Sequence, residues 1–159
     1  MVIGIITARQ GSKRLKNKNI RLIKKKPFYS WSIKTLKKTK LFSKIVVTTD
    51  HPSIIKNAAK YGADIVLKRK KKLANSKASI IDVIKDVISE LKNKKINFNY
   101  VCCMFPVSPL TKSLDIKRSY YFLKKNKNKF IFPAYNKSGK FISEKYYNKF
   151  VKINTISKK

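Results

Sequence analysis

The residues best suited to chemistry lie close together near the N-terminus. Residues 9–19 read Arg-Gln-Gly-Ser-Lys-Arg-Leu-Lys-Asn-Lys-Asn. The small pair Gly11-Ser12 lets backbone N–H groups come close to an anion. Lys13, Arg14, Lys16 and Lys18 ring that turn with positive charge. Such a loop can hold a triphosphate through backbone donors and neutralise the charge that builds as pyrophosphate departs. It is not a Walker A loop, because the second glycine and the Gly-Lys-Ser/Thr ending are missing. Nor does it carry the Gly-x-Gly-x-x-Gly of a dinucleotide site. On charge alone, a solvated basic loop is the plain alternative.

The elements around this loop must place it. Residues 2–8 are a continuous apolar run, as expected of a central parallel strand covered on both faces. The spacing predicts a helix over 27–40 with Pro27 at its first position, a strand over 44–50 ending in Asp50, and a helix over 52–61 stopped by Gly62. A short strand follows over 64–67. Residues 78–92 are amphipathic, with Ile80, Ile81, Ile84, Ile88 and Leu91 at helical spacing. Strand 100–105 ends before Pro106, a helix covers 114–125, and a fifth strand is expected over 130–134. This alternation is that of an α/β domain: three layers, a mostly parallel sheet and helices on both faces. Ligands in such sheets bind beyond the carboxyl ends of the strands. That rule selects the loop after Ala8, the turn at Asp50, the segment after Leu67 and the loop after Phe105. The expected organisation is a nucleotide-binding domain over 1–134 and a basic hairpin or tail over 135–159.

Composition sets the bounds. The chain has 159 residues, 43% of them hydrophobic, which suffices for a core. Forty Lys and Arg against seven Asp and Glu give a formal charge of +33, so anionic partners come first and non-specific polyanion binding at low salt is expected. The 35 lysines and five arginines rise together with Asn, Ile, Phe and Tyr, a pattern that A/T-rich coding also produces. Binding surfaces that read nucleic acid commonly enrich arginine as well. Cys102 and Cys103 are adjacent, point to opposite faces of a strand and are poorly placed to pair with each other. They read as reduced core cysteines of a cytoplasmic protein. The lone His51 has no metal-binding company in sequence. No apolar run approaches the roughly 20 residues of a spanning helix, so membrane insertion is not expected.

Residues 8–19 strongly resemble the signature of the acylneuraminate cytidylyltransferase family, the CMP-sialic, pseudaminic and legionaminic acid synthetases. Weaker matches follow in order: Val46-Val47-Thr48-Thr49-Asp50, Tyr61-Gly62-Ala63, Arg69 with Leu73-Ala74, the strand from Tyr100, and Ser108-Pro109-Leu110. The resemblance spans about residues 2–125. It implies a Rossmann-like nucleotidyltransferase fold, here C-terminally truncated. The implied reaction joins CTP to a nine-carbon sugar acid with release of pyrophosphate and a requirement for Mg²⁺. Arg9 and Lys18 would act on the triphosphate and its developing charge. Ala8, Gly11, Ser12, Asn19 and Arg69 would bind nucleotide. Asp50 would orient a site residue or a metal-bound water. For Arg69 a surface arginine, and for Asp50 a helix cap, are the open alternatives. The Cys-Cys strand with Phe105 leans towards the pseudaminic acid branch. Lys70 stands where the family has proline, Leu15-Lys16 replaces a proline-containing turn, and nothing after Phe130 resembles the family's later metal-binding and dimer segment. No metal ligands can therefore be named, and a homodimer is implied only by the resemblance. A truncated, inactive family member, a Kdo-type cytidylyltransferase and a basic nucleic-acid-binding protein remain the competing readings.

Overall fold

The computed structural model describes residues 1–11, 15–126 and 130–132. In chain order the elements are β1 (Val2–Thr7), β2 (Leu22–Ile23), β3 (Lys26–Pro27), α1 (Phe28–Thr39), β4 (Phe42–Thr49), α2 (Pro52–Asn57), β5 (Ile65–Lys68), α3 (Ile80–Asn93), β6 (Tyr100–Met104) and α4 (Ser113–Lys125). Short 3-10 turns lie at Lys18–Ile20, Ala59–Tyr61 and Lys71–Leu73. Contacts divide the chain into one unit over Met1–Leu114 and a second over Asp115–Lys159.

All six residues of β1 are buried. The strand pairs in parallel with β4 on one edge and β6 on the other, and β5 adds outside β4, giving the order β5-β4-β1-β6. From β1 the chain steps outwards through α1 and α2, then returns across the sheet through α3. Right-handed crossovers therefore put α3 on the opposite face from α1 and α2. Packing agrees: Val87 and Leu91 of α3 join Ile3, Ile5 and Val46 in one buried cluster. Gly4, between Ile3 and Ile5, turns the other way and lies against Leu36 of α1. Burying side chains such as Val87 and Leu91 contributes roughly 1.5–3 kcal/mol each.

The elements differ from the sequence expectations in four places. Pro27 is the N-cap of α1 rather than its first helical residue, because it also closes the β2–β3 hairpin. The helix expected over 52–61 is α2 followed by a 3-10 turn, ended by Gly62 at φ 100°. The buried stripe of α3 is Val83, Val87 and Leu91, whereas Ile80 and Ile81 are exposed. Phe130–Phe132 are not in a strand, and the rest of that expected strand, like residues 135–159, lies outside the described residues. Within the second unit, Phe130 and Phe132 stack at 5.5 Å.

Cys102 and Cys103 are free, and their partners in register are Gly4 and Ile5, which places them on opposite faces. Neither is fully buried: Cys102 is half-buried and Cys103 is exposed, because β6 is the sheet's edge among the described residues.

Gly4→Val would drive a side chain into Leu36, whose Cδ1 lies 2.9 Å from the position of a Cβ at residue 4. A loss of about 1–3 kcal/mol is expected in urea unfolding. Burial, together with the neighbouring Cys103, pushes the Cys102 thiol up to about 11. The folded state then keeps a proton that the unfolded thiol loses near its ordinary value. Stability from this group is complete below about pH 9 and declines towards pH 11. At pH 8, Cys102 should be alkylated far more slowly than the thiol of the urea-unfolded chain, as mass spectrometry of the modified peptide would measure.

Candidate functional site

Three of the four places that the sheet rule selects line one cleft of about 690 Å³, and the turn at Asp50 does not line it. Its walls come from the end of β1 and the loop after it (Thr7, Arg9, Gly11, Leu15, Lys18, Asn19), from Arg69 and Leu73 beyond β5, from the approach to α3, and from residues 105–108 beyond β6. Among the described residues that line it there is no carboxylate.

Three hydrogen bonds shape this edge. Asp50 Oδ1 accepts from the Gln10 backbone N–H at 2.7 Å, which ties the loop after β1 to the end of β4. Asn19 Nδ2 donates to the Arg9 carbonyl at 2.7 Å and closes the same loop on itself. Arg69 Nη2 donates to the Thr48 carbonyl at 3.0 Å, while the Arg69 backbone N–H donates to Thr49 O at 2.8 Å. Arg69 is only 6% exposed, so the surface-arginine reading fails. Burial pulls its pKa down, the Asp50 carboxylate opposes that, and Arg9 adds to the lowering. A guanidinium nonetheless stays charged. Arg69, Arg9 and Asp50 therefore share one electrostatic neighbourhood.

Two buried polar atoms of this cleft have no hydrogen-bond partner among the described residues: Asn19 Oδ1, an acceptor, and Arg69 Nε, a donor. Each such atom costs about 1–3 kcal/mol unless something pairs with it. A ligand carrying both donors and anionic acceptors would satisfy both.

The other residues singled out from sequence fall as follows. Arg9, Gly11 and Lys18 line the cleft with Asn19 and Arg69. Ala8 does not line it: its side chain is fully buried and its N–H is spent on Thr48 O at 3.0 Å. Ser12 lies outside the described residues. Asp50 is not the cap of α2. His51 holds that place, its Nδ1 accepting from the Ser53 N–H at 3.2 Å, which leaves Asp50 to the loop.

Sequence reasoning passed over several contributors. Ser32, wholly buried in α1, donates to the Phe105 carbonyl at 2.9 Å and anchors the turn after β6. Lys70, the residue in the family's proline position, bonds Asp86 at 2.6 Å and Glu90 at 3.2 Å on α3, pinning the segment that presents Arg69. Asn75 Oδ1 accepts from the backbone N–H groups of Lys77 and Ala78, shaping the rim ahead of α3. The amphipathic pattern of α3, with acids four residues apart at 86 and 90, was the available clue for Lys70.

The Mg²⁺ that the resemblance implies finds little to hold it. Among the described residues, no group of three or more His, Cys, Asp or Glu side chains could bind a metal. Asp50, at the end of β4, accepts from the Gln10 N–H through Oδ1. A magnesium centre built by protein side chains alone does not fit the described residues.

Comparison with known proteins adds the following. A family profile described as Cytidylyltransferase matches residues 3–157. A pseudaminic acid cytidylyltransferase of Campylobacter jejuni is 35% identical over 130 residues, covering 82% of this chain and 56% of that protein. A CMP-N,N'-diacetyllegionaminic acid synthase of the same species is 41% identical over 87 residues, covering 55% of this chain and 37% of that protein. The solved structure of a CMP:2-keto-3-deoxy-manno-octonic acid synthetase complexed with CTP superposes with a TM-score of 0.66 at 19% identity, over 79% of this chain and 48% of that one. The chain thus spans about half the length of the curated relatives it matches.

Asp50→Ala should free the Gln10 amide. Its hydrogen-exchange protection would disappear while the β1 amides stay protected, at a stability cost of about 1 kcal/mol. Amide exchange followed by NMR checks this directly.

Proposed function

The chain belongs to the cytidylyltransferase family, and on that premise we propose that its cleft binds CTP and activates a nonulosonic acid of the sialic, pseudaminic or legionaminic type as its CMP-sugar. The observation that carries this reading is the pair of unsatisfied buried atoms, Asn19 Oδ1 and Arg69 Nε, in a cleft rimmed by Arg9 and Lys18. A nucleotide offers hydroxyl or amino donors for the first and phosphate oxygens for the second.

In this reading the sugar acid's anomeric oxygen forms a bond to the α-phosphorus. The bond from that phosphorus to the β-phosphate bridging oxygen breaks, pyrophosphate leaves, and the hydroxyl proton passes to solvent. Such a reaction is governed by positioning and by stabilisation of negative charge. Arg9 and Lys18 neutralise the charge moving onto the departing oxygens. Gly11, with no side chain to intrude, lets the triphosphate come close to the backbone. Asp50 and Asn19 hold Gln10 and Arg9 in place before the ligand arrives. Mg²⁺, where the reaction uses it, would be held chiefly by the triphosphate oxygens, which suit a hard cation, and would offset their charge. A cytoplasmic location, where CTP is available, and a homodimer belong to the same proposal.

The test is calorimetric titration with CTP, ATP, GTP and UTP, with and without Mg²⁺, at an ionic strength of about 0.15 M. CTP should bind in preference, and Arg9→Ala should weaken it at least about tenfold, the effect of losing a charge-assisted contact. Equal, salt-sensitive binding of all four would overturn the reading and leave a family fold with an indiscriminate basic surface.

A further inference from the structure

A second pocket, of about 250 Å³, lies on the α1 side of the sheet and shares no lining residue with the cleft. Its walls include two aromatic rings, Trp31 and Tyr61, and four lysines, Lys26, Lys34, Lys37 and Lys60. The ion pairs found among the described residues both belong to Lys70, so these four ammonium groups have no carboxylate partner there. Lysines gathered without a counter-charge repel one another, and a bound anion relieves that repulsion.

The aromatic walls are held in place. Trp31 Nε1 donates to the Ile23 carbonyl of the hairpin at 3.3 Å. Tyr61 meets the buried Tyr29 edge-on at 5.7 Å. The Lys37 chain lies across Gly62, its Nζ 2.7 Å from where a Cβ would stand. At φ 100° that position favours glycine in any case, so the turn leaves Lys37 its place beside the pocket. Lys34 Nζ sits 5.5 Å from the Trp31 ring centroid. Walls ordered in advance lose little freedom when a ligand binds.

We propose that this pocket is an accessory site for one nucleotide unit, its phosphate met by the lysines and its base laid against Trp31 and Tyr61. Charge alone would accept any anion. The two fixed rings favour one that also carries a flat π-face, which is how single-stranded nucleic acid and free nucleotides are both held. The volume falls below the roughly 300–1,000 Å³ of pockets that enclose a whole drug-sized ligand, so one unit is bound partly in the open.

Trp31 is the sole tryptophan of the chain, so its fluorescence reports this pocket directly. The full chain would be titrated at about 0.15 M salt with ATP, a five-residue oligo-dA and inorganic tripolyphosphate. Saturable quenching by ATP, the oligonucleotide or both is expected, with tripolyphosphate clearly weaker. Quenching by both identifies the shared unit, whereas quenching by one identifies the source. The same titration in Arg9→Ala should be unchanged, which separates this site from the cleft. The double variant Lys34→Glu, Lys60→Glu changes two exposed residues, and should weaken the response roughly tenfold or more while leaving circular dichroism and CTP calorimetry as they were. Lys34→Arg, Lys60→Arg should restore it. No saturable response, tripolyphosphate as effective as ATP, loss of the signal in Arg9→Ala, or indifference to the charge reversal would each overturn the proposal.

Discussion

The hydrogen-bonded burial of β1 is the constraint from which the other features follow. Both edges of the strand are paired and both faces are covered, so its residues have no freedom to shift without breaking two ladders. Wherever β1 ends, the loop after it must begin, and it begins beside the ends of β4 and β6. Parallel pairing brings the carboxyl ends of all four strands to one side of the sheet. A single cleft then collects residues that are some hundred positions apart in sequence, such as Thr7 and Phe105. Two short bonds, Asp50 to Gln10 and Asn19 to Arg9, tie the described ends of that loop.

The few acidic residues are used with economy. Asp50 holds the loop and Asp64 accepts from the Ile45 N–H at 2.7 Å, securing the start of β5 against β4. Asp86 and Glu90 bind Lys70. Asp82 and Asp115 stand in the first turns of α3 and α4, where the helix dipole favours a negative charge. Six of the seven carboxylates thus serve loop, sheet or helix, and Glu144 lies outside the described residues. A protein with so few acids that spends them on architecture leaves its cleft positive. The same distribution leaves lysines elsewhere without partners, as around Trp31.

Parts of the site could be read from residue order and parts could not. The loop over 9–19 announced itself because glycine, serine and cations cluster after an apolar run. Arg69 was singled out only by the family resemblance, with a surface arginine as the alternative, since nothing local distinguishes an arginine whose fork reaches the Thr48 carbonyl. Asp50 read equally as an orienting carboxylate at the strand end or as a helix cap before His51-Pro52. The cap fell to His51 once Asp50 faced a backbone N–H forty residues away. The β2–β3 hairpin carries no Asn-Gly signal: its turn is Lys24-Lys25, both at positive φ, a conformation lysine adopts at some cost. Tertiary contacts, including the Trp31 bond to Ile23, hold it there.

By itself the sequence determined the alternation of strands and helices, the buried central strand, the phosphate-holding character of the first loop and the family. These depend on local periodicity and on residue type, which a linear string records. Only the tertiary structure decided which face of α3 is buried, that Ala8 is closed off within the sheet, and that Lys70 braces the Arg69 segment. It alone brought Asn19 and Arg69 into one cleft, each with a polar atom unpaired among the described residues, and set a second basic pocket beside α1. Those outcomes depend on which partners arrive from distant positions, and burial, hydrogen bonding and charge are settled only when they do.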